Sequence, residues 1–162
     1  MAEENAATNE QPARQVALRK IYLKDMSFES PAAPEVFNDK DFRPATDMNI
    51  RTSHTKLDGN FYEMTLTLTL DAKIKDDTAF LVELQQAGIF QIEGYEDSEI
   101  GIILGTFCPN TLFPYAREAI SNAVQRGGFP EFLLQPIDFD GLFARSQQEK
   151  AQAEAQASQE SH

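Results

Sequence analysis

Strand-like stretches fill the first 93 residues and helix-like stretches most of the rest, which predicts an α+β fold with segregated elements. Two observations carry the prediction. Over 61–75, Tyr62, Met64, Leu66, Leu68, Leu70, Ala72 and Ile74 alternate without a break against Glu63, Thr65, Thr67, Thr69, Asp71 and Lys73, as a strand with one face in a core and one in water. Over 108–130, Leu112, Ala116, Ala119, Ile120, Ala123 and Val124 recur instead at steps of three and four, the period of a helix.

Residues 1–15 hold no large aliphatic cluster, and from 146 onward the chain is almost wholly Gln, Ala, Glu and Ser. One domain over 16–145 is expected, with mobile ends at 1–15 and 146–162. Residues 16–28 read as the first strand, but Leu18, Ile21, Tyr22, Leu23 and Met26 do not settle on one face. Pro31, Pro34 and Pro44 then make 29–46 a loop, because repeated prolines exclude a helix and a central strand. That loop also carries Val36, Phe37 and Phe42, and long loops with large apolar groups pack over something or receive something.

Residues 47–57 form a weaker strand, closed by the tight-turn residues Asp58, Gly59 and Asn60. After the 61–75 strand, Asp76 and Asp77 turn the chain back into a partner strand over 79–93. There Phe80, Val82, Leu84, Phe90 and Ile92 share one parity, while Leu81, Ala87 and Ile89 share the other. Apolar residues on both faces predict partial cover of the outer face, for which another copy of the chain is the natural source. Glu93, Glu96, Asp97 and Glu99 read as a solvated loop, since their spacing lacks the calcium-loop pattern. In the long helix, Asn110 or Thr111 can cap the start, Pro114 falls in the first turn, and Gly127 and Gly128 supply a left-handed stop after Arg126. The small residues Ala116, Ala119 and Ala123 suit close helix packing at a subunit interface. An apolar extended linker leads to a last helix that begins near Phe139, has Phe139, Leu142 and Phe143 on its apolar face, and fades into the tail.

A formal charge of −12 repels phosphate backbones and anionic membranes, which argues against nucleic acid and lipid partners and for basic or unfolded cationic polypeptides. The single Cys108 suits a reducing cytosol, and neither a secretory leader nor a membrane span is evident, so a cytoplasmic protein without membrane insertion is expected. His54 and the terminal His162 have no nucleophile motif beside them, Cys108 has no activating neighbour in sequence, and phosphate-loop and zinc motifs are missing. Catalysis, cofactors and metals are therefore not expected. Twelve Phe and four Tyr without Trp are spread through loops and helix ends as well as strands. Phe37, Phe42, Phe129, Phe132 and Phe143 lie outside the strands and suggest an aromatic-lined groove for apolar segments, with acidic rims.

Three blocks, KDMSFESPAAP (24–34), AFLVELQQAGIF (79–90) and CPNTLFPYAREAISNAVQRGGFPEFLLQPIDFDGLF (108–143), closely resemble the SecB family of protein-export chaperones. The resemblance runs over about 19–145. It implies a four-stranded antiparallel sheet with a long helix and a C-terminal helix on one side, assembled as a homotetramer, a dimer of dimers. It also implies an ATP-independent holdase that keeps precursor proteins unfolded and delivers them to the SecA motor. By the same resemblance, Asp25, Glu29, Leu81 and Glu83 match motor-docking positions. Val82, Leu84 and Gln86 match positions tied to tetramer integrity. Phe37, Phe42, Leu142 and Phe143 are candidates for the client groove. Phe42 stands where a Trp is familiar and Val82 where a Cys is, and neither change removes apolar character. The alternative is an oligomeric adaptor that docks a folded partner through its acidic sheet face.

Overall fold

The structure is a computed structural model and describes residues 12–160. Four strands, β1 (Gln15–Glu29), β2 (Ala45–Lys56), β3 (Phe61–Ile74) and β4 (Asp77–Glu93), precede the helices α1 (Asp97–Gly105), α2 (Phe107–Arg126) and α3 (Phe139–Glu160). The strands form one antiparallel sheet in the order β1-β4-β3-β2, so β3 and β4 are central and β1 and β2 are edges. The helices pack on one side of it, as expected. The predicted alternation of β3 holds: Met64, Leu66, Leu68, Leu70 and Ala72 are buried, while Thr67, Thr69 and Asp71 stand half-open on the other face. Gly88 of β4 lies under α2, where a Cβ would come within 2.9 Å of Leu112 Cδ2. Glycine there lets helix and sheet close on each other.

The unsettled parity of β1 has a physical source. Its register against β4 shifts between Leu18 and Lys20 and again between Leu23 and Asp25. Each bulge adds one residue, Arg19 or Lys24, and flips the parity that follows. Val16, Leu18, Ile21, Met26 and Phe28 thereby all reach the core side despite their uneven spacing.

Other expectations are corrected. The long helix begins at Phe107, ahead of the predicted caps, so the proline of its first turn is Pro109 and Pro114 lies in its interior. The first-turn N–H has no intrahelical partner in any helix, so Pro109 costs little there. Pro114 would break an unsupported helix, but its ring faces outward while Cys108, Leu112, Phe113 and Ala116 are buried on the opposite face. At the other end Gly127 keeps a right-handed conformation, and Gly128 takes the left-handed one at φ 87°. The Gly128 N–H bonds to Gln125 O at 3.0 Å and the Phe129 N–H to Val124 O at 3.2 Å, the paired bonds of a Schellman stop.

The acidic stretch is only partly a loop, because α1 starts at Asp97. The Glu96 N–H donates to Glu99 Oε2 at 2.9 Å, and Asp97 and Glu99 sit at the positive end of the helix dipole. The carboxylates are a helix-start signal. Helix α3 does not fade near 145 but continues to Glu160, starting where Asp138 Oδ1 accepts the Gly141 N–H at 2.9 Å. Residues 146–159 of it are exposed. The proline-rich loop holds a short 3-10 turn, Glu35–Asn38. Most of the expected N-terminal tail, residues 1–11, lies outside the described residues. Among the described residues no helix is long and apolar enough to cross a membrane.

Candidate functional site: an apolar groove and an acidic sheet face

The stop at Gly128 delivers Phe129 into a cluster of aromatic rings. Its centroid lies 5.0 Å from Phe80 and 6.4 Å from Phe28 on the sheet, and 5.2 Å from both Phe37 and Phe42 of the proline-rich loop. One buried ring therefore ties the loop to the sheet. Phe42 forms one wall of a depression of about 250 Å³ with Pro44, Thr46, Phe80, Pro130, Glu131 and Phe132. A second depression, of about 170 Å³, lies between β2 and the start of α3 and is lined by Ile50, Thr52, Gly105, Phe139, Leu142, Phe143 and Ser146. The Phe143 ring lies directly against Gly105, and the Phe139 ring meets Phe113 edge-on at 5.9 Å.

The four groove candidates thus separate. Phe42 lines the first depression, and Leu142 and Phe143 line the second. Phe37 lines neither and stands half-exposed beside Phe129. Between the two depressions runs β2, whose Thr46, Met48, Ile50 and Thr52 pair with Ala72, Leu70, Leu68 and Leu66 on the helix side of β3. Met48 is exposed and apolar and bridges the interval. Phe132, one of the aromatics that suggested a groove, lines the first depression, whereas sequence reasoning missed Ile50 and Thr52. The available signal was the shared parity of 46, 48, 50 and 52 in the weakest-looking strand.

On the opposite sheet face the four docking candidates come together. Asp25 pairs with Gln85, Ser27 with Glu83 and Glu29 with Leu81. On the far side of β4, Leu81 pairs with Asp71, which in turn pairs with Asp47. Glu29, Leu81, Asp71 and Asp47 therefore form one row across all four strands, and Glu83 lies in the next row. Asp71 and Asp47, not anticipated from the sequence, extend the acidic patch, with Lys73 Nζ 3.7 Å from Asp71. Farther along this face Lys24 Nζ lies 2.7 Å from Glu63 Oε1, and the Tyr22 hydroxyl donates to the same carboxylate. The Lys24 and Tyr22 contacts hold the Glu63 carboxyl below its usual range, while desolvation, then Glu63, pushes the Tyr22 phenol up to about 12.

The residues matched to tetramer integrity lie inside the protomer. Val82, Leu84 and Gln86 share the even parity of Phe80, Phe90 and Ile92, so they face the helices and are buried in the chain's own core. Gln86 Nε2 donates to Tyr22 O at 2.9 Å. Ala116 is fully buried against the sheet, and Ala119 and Ala123 are half-buried on the flanks of α2. Cys108 is buried, and desolvation pushes its thiol up to about 12, which suppresses the nucleophilic thiolate. Among the described residues no group of three metal-ligating side chains converges.

The structure thus presents a sheet layered with helices on one side, two open depressions beside β2 and an acidic outer face. Residues 8–150 match the SecB family, described as preprotein translocase subunit SecB, and the chain belongs to that family. Relatives named protein-export protein SecB include one from Nitrosococcus oceani, 45% identical over 159 residues, covering 96% of this chain and 97% of the relative. Another, from Methylococcus capsulatus, is 47% identical and covers 91% of this chain and 94% of its own. A third, from Marinobacter nauticus, is 46% identical, covering 98% and 99%. The fold is shared with a SecB-like chaperone of Mycobacterium tuberculosis, solved in complex with a peptide from an antitoxin, at a TM-score of 0.65 and 15% identity over 76% of this chain and 91% of that one.

Proposed function

We propose that this chain is an ATP-independent export chaperone. It binds unfolded precursor proteins in its apolar groove, keeps them competent for translocation and hands them to the SecA motor. Membership of the SecB family supports the reading. The single observation that carries it is the pair of open apolar depressions joined along β2 by the exposed Met48. Such sites suit apolar segments that a folded protein keeps in its core. Each contact can be weak, because a long unfolded client wraps several sites and a homotetramer multiplies them. The acidic patch of Asp25, Glu29, Glu83, Asp71 and Asp47 around Leu81 is the docking surface for a basic element of the motor, with Leu81 as the apolar contact.

A refolding assay tests the reading. A denatured precursor is diluted into nucleotide-free buffer with and without the protein, and folding and light scattering are followed. Suppressed folding and aggregation at near-stoichiometric protein are expected. Equal affinity for folded and unfolded forms of the same precursor would sink the holdase reading.

A further inference from the structure

The chain enters β1 across the corner where β4 turns into α1. Gly94, at φ 78°, lies so close beneath the entering backbone that a Cβ would meet Ala13 O at 2.7 Å and Pro12 O at 2.9 Å. That contact sets Arg14 over the corner. Its guanidinium carbon stands 5.2 Å from the centre of the Tyr95 ring, and its Nη2 lies 3.2 Å from Glu99 Oε1. Beside it opens a depression of about 560 Å³ lined by Pro12, Arg14, Gly94, Tyr95 and Glu96. We propose that this corner is a binding site for an arginine side chain of an unfolded polypeptide, and that Arg14 fills it in the free protein. The proposal rests on the holdase reading and adds a charged contact that shares no residue with the two apolar depressions.

The site is built without Arg14. Glu99 turns its other oxygen, Oε2, to the Glu96 N–H at 2.9 Å, a bond that belongs to the start of α1 and holds the carboxylate in place. Tyr95 is half-buried and packs against the core, which fixes its ring. A carboxylate and an aromatic face held this way suit a guanidinium better than an ammonium, because the planar fork stacks on the ring while an N–H reaches the carboxylate. The occupant, by contrast, is loosely held. The Arg14 side chain is 61% exposed. An exposed ion pair and an exposed cation–π contact each hold by no more than about fivefold. Together they leave the site open roughly one part in twenty-five of the time, through a swing of the Arg14 side chain with its backbone still on Gly94. An arriving arginine therefore meets a formed site and loses only that factor. The formal charge of −12 draws basic segments toward it.

The test places 3-fluorotyrosine in the full chain and follows the Tyr95 fluorine resonance, assigned by its loss in Tyr95→Phe. Short peptides of Gly and Ser with one central Arg, Lys or citrulline are titrated. Arg14→Ala is expected to bind the Arg peptide about tenfold more tightly than the unaltered protein does, because the resident competitor is gone. It is also expected to favour the Arg peptide over the Lys peptide about fivefold, and the uncharged citrulline peptide is expected to leave the resonance unmoved. Two further variants separate the site from bulk charge. Glu99→Gln keeps an acceptor for the Glu96 N–H and removes the charge, and in the Arg14→Ala background it is expected to abolish the shift. Arg19→Ala removes a positive charge of β1 without emptying the site, and the affinity is expected to stay unchanged. Equal affinity for the Arg and Lys peptides, or equal affinity of Arg14→Ala and the unaltered protein, overturns the proposal. If the protein still suppresses precursor folding in that case, the holdase reading survives and only the arginine site fails. If precursor holding is missing as well, both fall.

Discussion

Replacing Phe129 by Ala removes the ring on which the proline-rich loop rests. Phe129 is 5% exposed and lies within 6.4 Å, centroid to centroid, of four other phenylalanines. Truncating a buried Phe to Ala costs about 3–5 kcal/mol, the lost transfer energy plus the cavity left behind. The position in that range depends on how far the neighbours can close the gap. Phe28 and Phe80 are held in β1 and β4, whereas Phe37 and Phe42 sit on a loop that can settle inward. Partial collapse puts the expected cost near the lower bound, about 3 kcal/mol. Phe37 is 50% exposed, so its truncation to Ala forfeits only about 1 kcal/mol. With a urea dependence of about 2 kcal/mol per molar, the midpoint falls by about 1.5 M for Phe129→Ala and about 0.5 M for Phe37→Ala. Both are measured by urea denaturation at matched protein concentration, because assembly adds to apparent stability. The folded Phe129→Ala protein is also expected to hold denatured precursor less well, since the Phe42 wall of the groove loses its support. A Phe129→Ala shift no larger than that of Phe37→Ala would refute the anchoring argument.

Gly88→Ala forces a methyl against Leu112, Leu18 and Phe90 at 2.9–3.2 Å, and the expected cost in urea denaturation is about 1–3 kcal/mol. An unchanged midpoint would mean that the α2–sheet contact gives way freely. Glu83→Lys is expected to weaken SecA binding in titrations and to reduce its salt dependence while leaving precursor binding intact; salt-independent binding of the unaltered protein would remove the electrostatic part of the docking argument. The Cys108 thiol is expected to resist iodoacetamide at pH 8 in the folded protein and to react after unfolding. Its folded pKa is raised from 9.0 to about 12, so the unfolded chain ionises first. Its contribution to stability is thus complete below pH 9 and declines as the pH rises toward 12; a Cys108→Ala variant with the same decline would refute the assignment.

Legibility from sequence tracked how local each signal was. The unbroken alternation of β3 was readable because both of its neighbours are strands and a two-residue period needs no exception. The α2 stripe was equally plain, yet its start was not. Pro114 looked like a first-turn residue because a proline interior to a helix is unfavourable by itself, and only burial of the opposite face offsets that cost. Helix α1 was missed because the carboxylates of Glu93, Glu96, Asp97 and Glu99 were read as solvated charge, whereas Glu99 bonds the Glu96 N–H and Asp97 and Glu99 favour a helix start. In β1 the apolar residues carried the information, but two bulges scrambled its period.

The surfaces divide in the same way. The resemblance to SecB picked out Asp25, Glu29, Leu81 and Glu83, but their convergence with Asp71 and Asp47 follows from pairing across four strands. The same pairing sends Val82, Leu84 and Gln86 into the core. By itself the sequence determined the fold class, the helix and strand periods, the acidic character and the family, because these reside in composition and in neighbours a few positions apart. Only the tertiary structure decided the register of β1, the exposed edge at β2 and the two depressions beside it. Each of those depends on which distant segments pair, and pairing is settled by burial over the whole sheet rather than by any local preference.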